Sequence, residues 1–133
     1  MNLGRQIAAH DGVLIVTPEY NGSIPPLLKN TIDWLSQDIE TQGPNDTGSG
    51  YAPFSGKVCG LLGASNGGFG TIRALPHVSY ILSNLGVFVL PVVAVPRVGS
   101  VLAPDGSVSD QKTRDALHNL GARVAETVVK LKG

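Results

Sequence analysis

Short apolar runs occur three times along the chain, and each predicts a strand. Val13–Thr17 ends at Pro18, and its continuous apolar character is typical of a strand buried on both faces of a parallel sheet. Lys57–Gly63 and Val87–Val95 are the second and third runs. Pro91 cannot donate a ladder hydrogen bond, so we expect the third strand at a sheet edge or at a bulge.

Apolar residues spaced by three and four predict a helix after each strand. Pro25 and Pro26 suit the first turn of the first helix, where missing N–H groups do no harm. The second helix, Thr71–Asn84, contains Pro76, which should kink or restart it, and the third starts near the N-cap residue Asp110. The apolar faces are Leu28, Ile32, Leu35 and Ile39; Ile72, Leu75, Val78, Leu82 and Leu85; and Leu117, Leu120, Val124, Val128 and Leu131.

This alternation of strands and helices predicts an α/β fold with a parallel sheet covered by helices on both faces. Gly43–Pro53 is rich in small and polar residues and predicts a surface loop, and Pro96–Ser109 is expected to be irregular with a turn at Asp105-Gly106. In such sheets ligands bind at the carboxyl ends of the strands, so the turns after the first two strands are where we look for function.

The composition excludes several classes of protein. Of the 133 residues, 42% are hydrophobic and 15% are charged, and the net charge is zero, so neither a disordered chain nor a nucleic-acid binder is indicated. Cys59 is a single cysteine, which excludes an internal disulfide and favours a buried strand residue over a metal ligand. Met1–His10 has no apolar signal-peptide core and no apolar run reaches membrane-spanning length, so we expect a cytoplasmic protein that does not enter a membrane.

The turn Thr17–Pro25 follows the first strand. Asn21 and Gly22 tolerate left-handed backbone conformations, which allows successive N–H groups to face a ligand, and Tyr20 offers a flat ring. Taken alone, the turn could equally be a tight connection in which Asn21 or Ser23 caps the next helix.

The turn Ala64–Gly70 follows the second strand. Gly67, Gly68 and Gly70 allow a ligand to approach the backbone closely, and Ser65 and Asn66 can form hydrogen bonds. A flexible connection is the alternative. The glycine spacing matches neither the dinucleotide fingerprint nor the phosphate loop of nucleotide triphosphatases.

These residues resemble a known family. The segment Thr17-Pro18-Glu19-Tyr20-Asn21-Gly22-Ser23-Ile24-Pro25, followed by Leu28-Lys29-Asn30-Thr31-Ile32-Asp33-Trp34, is similar to the signature of the NADPH-dependent FMN reductases, which include quinone, chromate and azo-dye reductases. The second turn and the following Arg73-Ala74-Leu75-Pro76-His77 match that family's next loop and helix.

The resemblance implies a flavodoxin-like three-layer sandwich with two loops that contact FMN. The cofactor-binding residues that it implies are Pro18, Glu19, Tyr20, Asn21, Ser23, Ser65, Asn66, Gly67, Gly68 and Gly70. It further implies NADPH as hydride donor, a small-molecule electron acceptor and a homodimer or homotetramer. It implies no catalytic side chain, because the flavin itself carries the chemistry.

Family members begin with a strand and a Gly-Ser-x-Arg-type loop that holds the FMN phosphate, and the chain departs from this pattern. Only about twelve residues precede Val13–Thr17, which corresponds to the family's third strand. We therefore expect residues 1–133 to form a single flavodoxin-like domain that is incomplete at its N-terminus, without at least one βαβ unit of roughly 30 residues.

Two rival functions stay open. The departure at the N-terminus motivates a non-catalytic remnant or a partner-dependent interaction module. A receiver-like signalling domain would need acidic residues at a strand end, and the first two strands have none apart from Glu19 in its proline turn. His10, Asp115 and His118 form no hydrolase constellation.

Three further sets of residues are lesser candidates. Arg73 and His77 share a helical face near the second turn, where a solvated or subunit-contact role is favoured over contact with NADPH or flavin. Lys29, Asp33 and Trp34 are expected to support the first helix or a subunit interface. Arg97 follows the third strand and is a minor candidate for the flavin crevice.

Overall fold

The computed structural model describes residues 3–37 and 51–133. Its elements in chain order are α1 (Leu3–Ala8), β1 (Gly12–Val16), α2 (Pro26–Ser36), β2 (Val58–Ala64), α3 (Leu75–Asn84), β3 (Phe88–Val89), β4 (Val93–Val95), α4 (Val98–Val101) and α5 (Gln111–Lys132). The predicted alternation of strands and helices is therefore present, and the fold is α/β with a parallel sheet.

β2 is the central strand of this sheet. β1 pairs with it in parallel from Gly12↔Val58 to Val16↔Leu62. On the other side β3 and β4 pair with the two halves of β2, at Cys59↔Val89 and Leu62↔Val93 respectively. The paired residues differ by 30 before the interruption and by 31 after it, so one extra residue is accommodated between β3 and β4, as in a β-bulge. Pro91 lies in this interruption, which confirms the expectation of a sheet edge or a bulge at this proline.

The larger core lies on one face of the sheet. Val13 and Ile15 of β1 contact this core, together with Cys59 and Leu61 of β2. The helical residues that complete it come from α2 and α3, and they are Ile32, Leu35, Leu75, Val78 and Leu82. Ile39 and residues 43–50 of the predicted surface loop lie outside the described residues.

The opposite face of the sheet is covered by α5, because alternate strand residues point to opposite sides. Leu120 and Val124 of α5 are buried. A Cβ added to Gly60 would lie 2.8 Å from Val124 Cγ2 and 2.5 Å from Leu14 Cδ2, so glycine at this position lets the helix approach the sheet closely. Helices on both faces give the expected three-layer arrangement.

Prolines and caps set the helix boundaries. α2 starts at Pro26, which lies in the first turn as predicted, whereas Pro25 is the N-cap residue just before that turn. α3 starts only at Leu75, with Pro76 in its first turn, so the proline restarts the helix and Thr71–Ala74 forms a preceding turn. Asp110 caps α5 by accepting a hydrogen bond from the Thr113 amide at 2.8 Å.

Several sequence expectations were wrong in detail. α1 was not predicted, and α4 interrupts the stretch 96–109 that was expected to be irregular. Leu131 was assigned to the apolar face of α5 but is 53% exposed, because it lies in the last turn, beyond the part of the helix that packs on the sheet. Ile72 precedes α3 and is likewise exposed.

Candidate functional site

The loop after β1, Thr17–Pro25, is called rim loop 1, and its tip is a two-residue hairpin turn. The amide of Tyr20 donates to the carbonyl of Ser23 at 3.0 Å, and the reverse hydrogen bond is also 3.0 Å long. The central residues Asn21 and Gly22 both have positive φ, 51° and 78°. Left-handed conformations at both positions define a type I′ turn, which Asn-Gly sequences favour.

This turn leaves hydrogen-bond donors without protein acceptors. Within residues 3–37 and 51–133, the backbone amides of Asn21 and Gly22 donate to no acceptor. The Tyr20 ring beside them is 56% exposed. Rim loop 1 therefore offers two unused N–H donors and one flat aromatic surface to a ligand.

The loop after β2, Ser65–Gly70, is called rim loop 2, and the segment that follows β4 holds it in place. The Ser65 amide donates to Val95 O at 3.1 Å, and the Val98 amide donates to Ser65 O at 3.0 Å. The Arg97 amide donates to Gly67 O at 3.0 Å. These bonds fix both ends of the loop tip, which is therefore an anchored loop rather than a freely flexible connection.

Rim loop 2 also presents unused donors. Within the described part of the chain, the backbone amides of Asn66, Gly67 and Gly68 donate a hydrogen bond to no acceptor. A Cβ on Gly68 would meet nothing within 4 Å, and one on Gly67 would meet only Ser65 Oγ at 3.8 Å. The backbone here is open to the close approach of a planar ligand.

Gly70 ends rim loop 2 in a different environment. It is buried, its φ is 54°, and an added Cβ would lie 2.4 Å from the backbone nitrogen of Pro96. The need for glycine at this position follows from packing and backbone conformation alone. Its contact with a flavin stays a prediction.

Glu19 of rim loop 1 is bound to Arg73, which lies in the turn between rim loop 2 and α3. The Arg73 guanidinium donates to Glu19 Oε1 through Nε at 2.7 Å and also through Nη2. Glu19 Oε2 accepts the backbone amides of Arg73 at 3.1 Å and Ala74 at 3.2 Å. The Glu19 side chain is only 7% exposed. Both of its carboxylate oxygens accept hydrogen bonds from Arg73 and Ala74, so the carboxylate is not available to a cofactor.

The same contact has an electrostatic consequence. The hydrogen bonds from Arg73 hold the pKa of the Glu19 carboxyl below its ordinary value of 4.5, and the Ala74 amide adds to this effect. Glu19 is therefore ionised at neutral pH. It acts as a fixed anion between the loops and not as an acid or base.

Two further contacts extend this connection. The Arg73 guanidinium lies over the Phe69 ring of rim loop 2, 4.7 Å from the ring centre, a cation–π geometry. Ser23 Oγ and His77 Nδ1 are 2.8 Å apart, which ties the tip of rim loop 1 to α3. Arg73 and His77 thus contact the predicted site residues, a role that the favoured solvated interpretation missed.

Beneath the loops lies a tightly packed junction. Thr71 is 1% exposed and has a φ of 71°, which is rare for a β-branched residue and indicates backbone strain. A Cβ on Gly63 would lie 2.1 Å from Thr71 Oγ1 and 2.5 Å from Thr17 O. Glycine at position 63 is what lets the two rim loops meet here.

The predicted site residues all lie in these two loops at the carboxyl ends of the neighbouring strands β1 and β2. Pro18, Tyr20, Asn21 and Asn66 are exposed, whereas the side chains of Glu19 and Ser23 are engaged with Arg73 and His77. No group of three or more His, Cys, Asp or Glu residues among the described residues could hold a metal ion. No described helix has both the length and the apolar character that a membrane span requires.

Comparisons with known proteins show which family the sequence resembles. The family model for NADPH-dependent FMN reductase matches residues 1–100. The chain is 37% identical over 130 residues to an NAD(P)H-dependent FMN reductase of Pseudomonas aeruginosa, covering 96% of this chain and 64% of that protein. It is 35% identical over 133 residues to a quinone reductase of Escherichia coli K12, with 98% and 65% covered.

A solved structure extends the similarity to three dimensions. The flavoenzyme NAD(P)H:(acceptor) oxidoreductase FerB of Paracoccus denitrificans matches with a TM-score of 0.69 and 30% identity, over 98% of this chain and 65% of that one. The chain thus spans slightly less than two thirds of the length of these relatives, at 64% and 65%. With the family model matching three quarters of the sequence and both signature loops on one rim, the chain belongs to the NADPH-dependent FMN reductase family.

Proposed function

We propose that the protein is an FMN-dependent NAD(P)H oxidoreductase, which passes a hydride from NADPH through FMN to a quinone, free flavin or a similar acceptor. The observation that carries this proposal is that rim loops 1 and 2, both with unused backbone donors, follow neighbouring parallel strands at the same edge of the sheet. A flavin ring has a polar edge of nitrogen and oxygen atoms and an apolar face. Donors, a tyrosine ring and an open glycine backbone suit such a ligand.

In this proposal the protein binds and orients the flavin. The amides of Asn21 and Gly22 would donate to one part of the ring edge, and those of Asn66, Gly67 and Gly68 to another. FMN, when bound, supplies the hydride chemistry. The Glu19–Arg73 contact would keep the two sets of donors at a constant separation, because it joins rim loop 1 to the turn that follows rim loop 2.

The names of relatives support small-molecule acceptors. One relative is a 2-hydroxy-1,4-benzoquinone reductase of Burkholderia sp., 32% identical over 93% of this chain and 63% of that protein. Quinones are flat and carry no charge, so they could stack on an exposed flavin face without a charged pocket. We propose quinones as the first acceptors to test.

We also propose that residues 1–133 belong to one flavodoxin-like domain that works in the cytoplasm as a homodimer or homotetramer. Large apolar side chains on α2 and α3 support self-association. Leu27 and Trp34 on α2 are 76% and 72% exposed, and Tyr80 on α3 is 77% exposed. Exposed groups of this kind often mark protein interfaces.

The activity test is NADPH oxidation by the full chain with benzoquinone, in the presence and absence of added FMN. We expect turnover that requires both FMN and the quinone. Gly67→Ala combined with Gly68→Ala should weaken FMN binding, because methyl groups would occupy the open backbone. Gly121→Ala on α5 is the matched control, since an added Cβ there also meets nothing within 4 Å but lies away from the rim.

A partner-dependent, non-catalytic module is the second candidate, and one observation favours it. Within the described residues β1 pairs only with β2, and its Leu14 and Val16 are 56% and 67% exposed. A strand with an unpaired edge and exposed apolar side chains can take up another strand. Absence of FMN binding by a folded chain would favour this candidate over the oxidoreductase.

A further inference from the structure

A free edge of the sheet runs along β1, and a groove separates this edge from α5. Within residues 3–37 and 51–133, β1 pairs with β2 on one side and with no strand on the other. The groove has a volume of about 510 Å³, with residues 12–14 on one wall and Val124, Ala125, Val128 and Val129 of α5 on the other. None of these residues belongs to the rim loops, so the groove is separate from the proposed flavin site.

The backbone groups on the free edge belong to Gly12, Leu14 and Val16. The Thr17 amide donates to Leu62 O at 3.0 Å, so Thr17 directs its backbone groups to β2. In a paired strand these groups alternate in direction from one residue to the next. The amides and carbonyls of Val16, Leu14 and Gly12 therefore point away from β2, and no described residue pairs with them.

β1 carries none of the features that usually protect an exposed edge. Its sequence, Gly-Val-Leu-Ile-Val, contains no charged residue and no proline, and it pairs with β2 residue by residue without a bulge. Such features keep an unpaired edge from binding other strands. Leu14 and Val16 are moreover exposed beside it. We therefore expect this edge to be covered in the native protein.

The charges around the groove cancel. The ionisable residues that line it are His10 and Asp11. The Asp11 carboxylate forms an ion pair with Lys132 Nζ at 2.6 Å, and His10 Nδ1 lies 2.7 Å from Gln6 O. Two copies of this surface can meet without repulsion between like charges, whereas a strongly acidic or basic partner would find no complementary charge here.

We propose that the free edge of β1 binds the same edge of a second copy of this chain, in antiparallel orientation about a two-fold axis at Leu14. In this register Leu14 lies opposite the partner's Leu14, and Gly12 lies opposite the partner's Val16. The three outward amides and three outward carbonyls of each edge then all form hydrogen bonds between the chains. A register shifted by two residues would leave Gly12 or Val16 of each copy unpaired.

The exposed apolar side chains would form one layer in this arrangement. A Cβ added to Gly60 would be 2.5 Å from Leu14 Cδ2 and 2.8 Å from Val124 Cγ2, so Leu14 lies on the face of the sheet that α5 covers. A two-fold axis perpendicular to the sheet keeps both α5 helices on that face. Leu14 and Val16 of both copies would then be buried between the helices, together with the exposed Val129.

Such a contact is closed, because each copy uses its free edge completely, so the association stops at two copies per edge. It lies on the other side of the sheet from the exposed residues of α2 and α3. It does not rest on the proposed oxidoreductase activity, since neither rim loop takes part in it.

Light scattering after size-exclusion chromatography of the full chain tests the association. Leu14→Lys should halve the native molar mass, because the axis brings two like charges directly opposite each other. Phe88→Lys is the matched control at the other edge of the sheet, and it should keep the native mass; the two native side chains are 56% and 54% exposed. A native chain that is monomeric at every concentration would overturn the proposal and leave the edge to a strand of another protein. A mass halved by Phe88→Lys but not by Leu14→Lys would also overturn it.

Mixing two variants tests the register. Leu14→Lys and Leu14→Glu should each have half the native mass alone, and an equimolar mixture should regain it, because opposite charges then meet at the axis. Circular dichroism checks that both variants fold. Folded variants that do not associate on mixing would contradict the axis at Leu14. If they unfold, Val16→Lys at the more exposed neighbouring position should likewise halve the mass.

Amide hydrogen exchange, followed by NMR, tests the native chain without any substitution. As the chain associates with rising concentration, exchange at Gly12, Leu14 and Val16 should slow about tenfold or more, because these amides gain hydrogen bonds. Val13 and Ile15, whose amides face β2, should be protected at every concentration. Fast exchange at Gly12, Leu14 and Val16 in a fully associated sample would place the contact on another surface and overturn the proposal.

Discussion

The carboxylate of Glu19 in rim loop 1 accepts hydrogen bonds from both the guanidinium and the backbone amide of Arg73, 54 residues further along the chain, and the same guanidinium lies over the Phe69 ring of rim loop 2. This single buried carboxylate accepts hydrogen bonds from the Ala74 amide, just before α3, and from the Arg73 side chain. Because the donors proposed to hold the flavin lie on both loops, we expect this contact to fix their separation. Glu19 is therefore a positioning residue in our account.

Glu19→Gln tests that role. The neutral amide cannot reproduce the charge-assisted hydrogen bonds and leaves Arg73 without its partner, so the melting temperature should fall by several degrees. FMN affinity should fall about tenfold, since the loops lose their fixed separation. Thermal unfolding and FMN titration measure the two effects.

Asp33→Asn is the matched control for that substitution. Asp33 pairs with Lys29 at 2.7 Å one turn away on α2, but both side chains are about half exposed, at 55% and 45%. Exposed pairs of this spacing contribute only about 0.3–0.5 kcal/mol. Equal effects of Asp33→Asn and Glu19→Gln would show that the contact between the loops has no special role.

Acid sensitivity gives an independent check on Glu19. Its folded-state pKa is depressed by Arg73, so its stabilising contribution is complete above the ordinary value of 4.5 and is lost as pH falls through the depressed value. The difference in melting temperature between the native protein and Glu19→Gln should therefore be largest near neutral pH and shrink below pH 4.5. A difference that is constant down to strongly acidic pH would contradict the assignment.

Local patterns along the sequence were enough to predict the main elements. The apolar runs predicted β1 and β2, and Pro91 correctly indicated a bulge in the third strand. The short helices α1 and α4, with six and four residues, were missed because such lengths contain too few repeats of an apolar pattern. The start of α3 was misplaced because the apolar spacing continues through the turn that precedes Pro76.

The tight packing beneath the rim loops predicts that an alanine at Gly63 strongly destabilises the fold. Gly63→Ala would place a methyl group 2.1 Å from Thr71 Oγ1 and 2.5 Å from the carbonyl oxygen of Thr17. Neither neighbour can move far, since Thr71 is buried and Thr17 O is backbone. We expect a loss of about 1–3 kcal/mol in the free energy of unfolding, measured with denaturant.

Gly68→Ala provides the comparison for Gly63→Ala. An added Cβ at position 68 meets nothing within 4 Å, so stability should change by less than about 0.5 kcal/mol. If both substitutions destabilise the protein equally, the junction between Gly63 and Thr71 is not as tight as described.

Cys59 should be unreactive in the folded protein. It is fully buried in β2, and this burial raises the pKa of its thiol from 9.0 to about 12. The reactive thiolate should accordingly be at least about a hundredfold scarcer than in the unfolded chain. Iodoacetamide labelling, followed by mass spectrometry with and without denaturant, measures this; rapid labelling of the native chain would contradict it.

The site was only partly predictable. The Asn-Gly pair indicated the tight turn of rim loop 1, and neighbouring parallel strands placed both loops on one rim. The contact between Glu19 and Arg73 could not be derived from local patterns, because it depends on how two distant loops pack. A usable signal was present, however: Glu19 has no cation within its own loop, and Arg73 is the first cation after rim loop 2.

The most direct test of the central claim is a titration of the chain with FMN, followed by quenching of flavin fluorescence. Our account predicts saturable binding to the native protein and clearly weaker binding to Glu19→Gln. A folded native chain that does not quench FMN fluorescence at any concentration would contradict the claim that rim loops 1 and 2 form a flavin site.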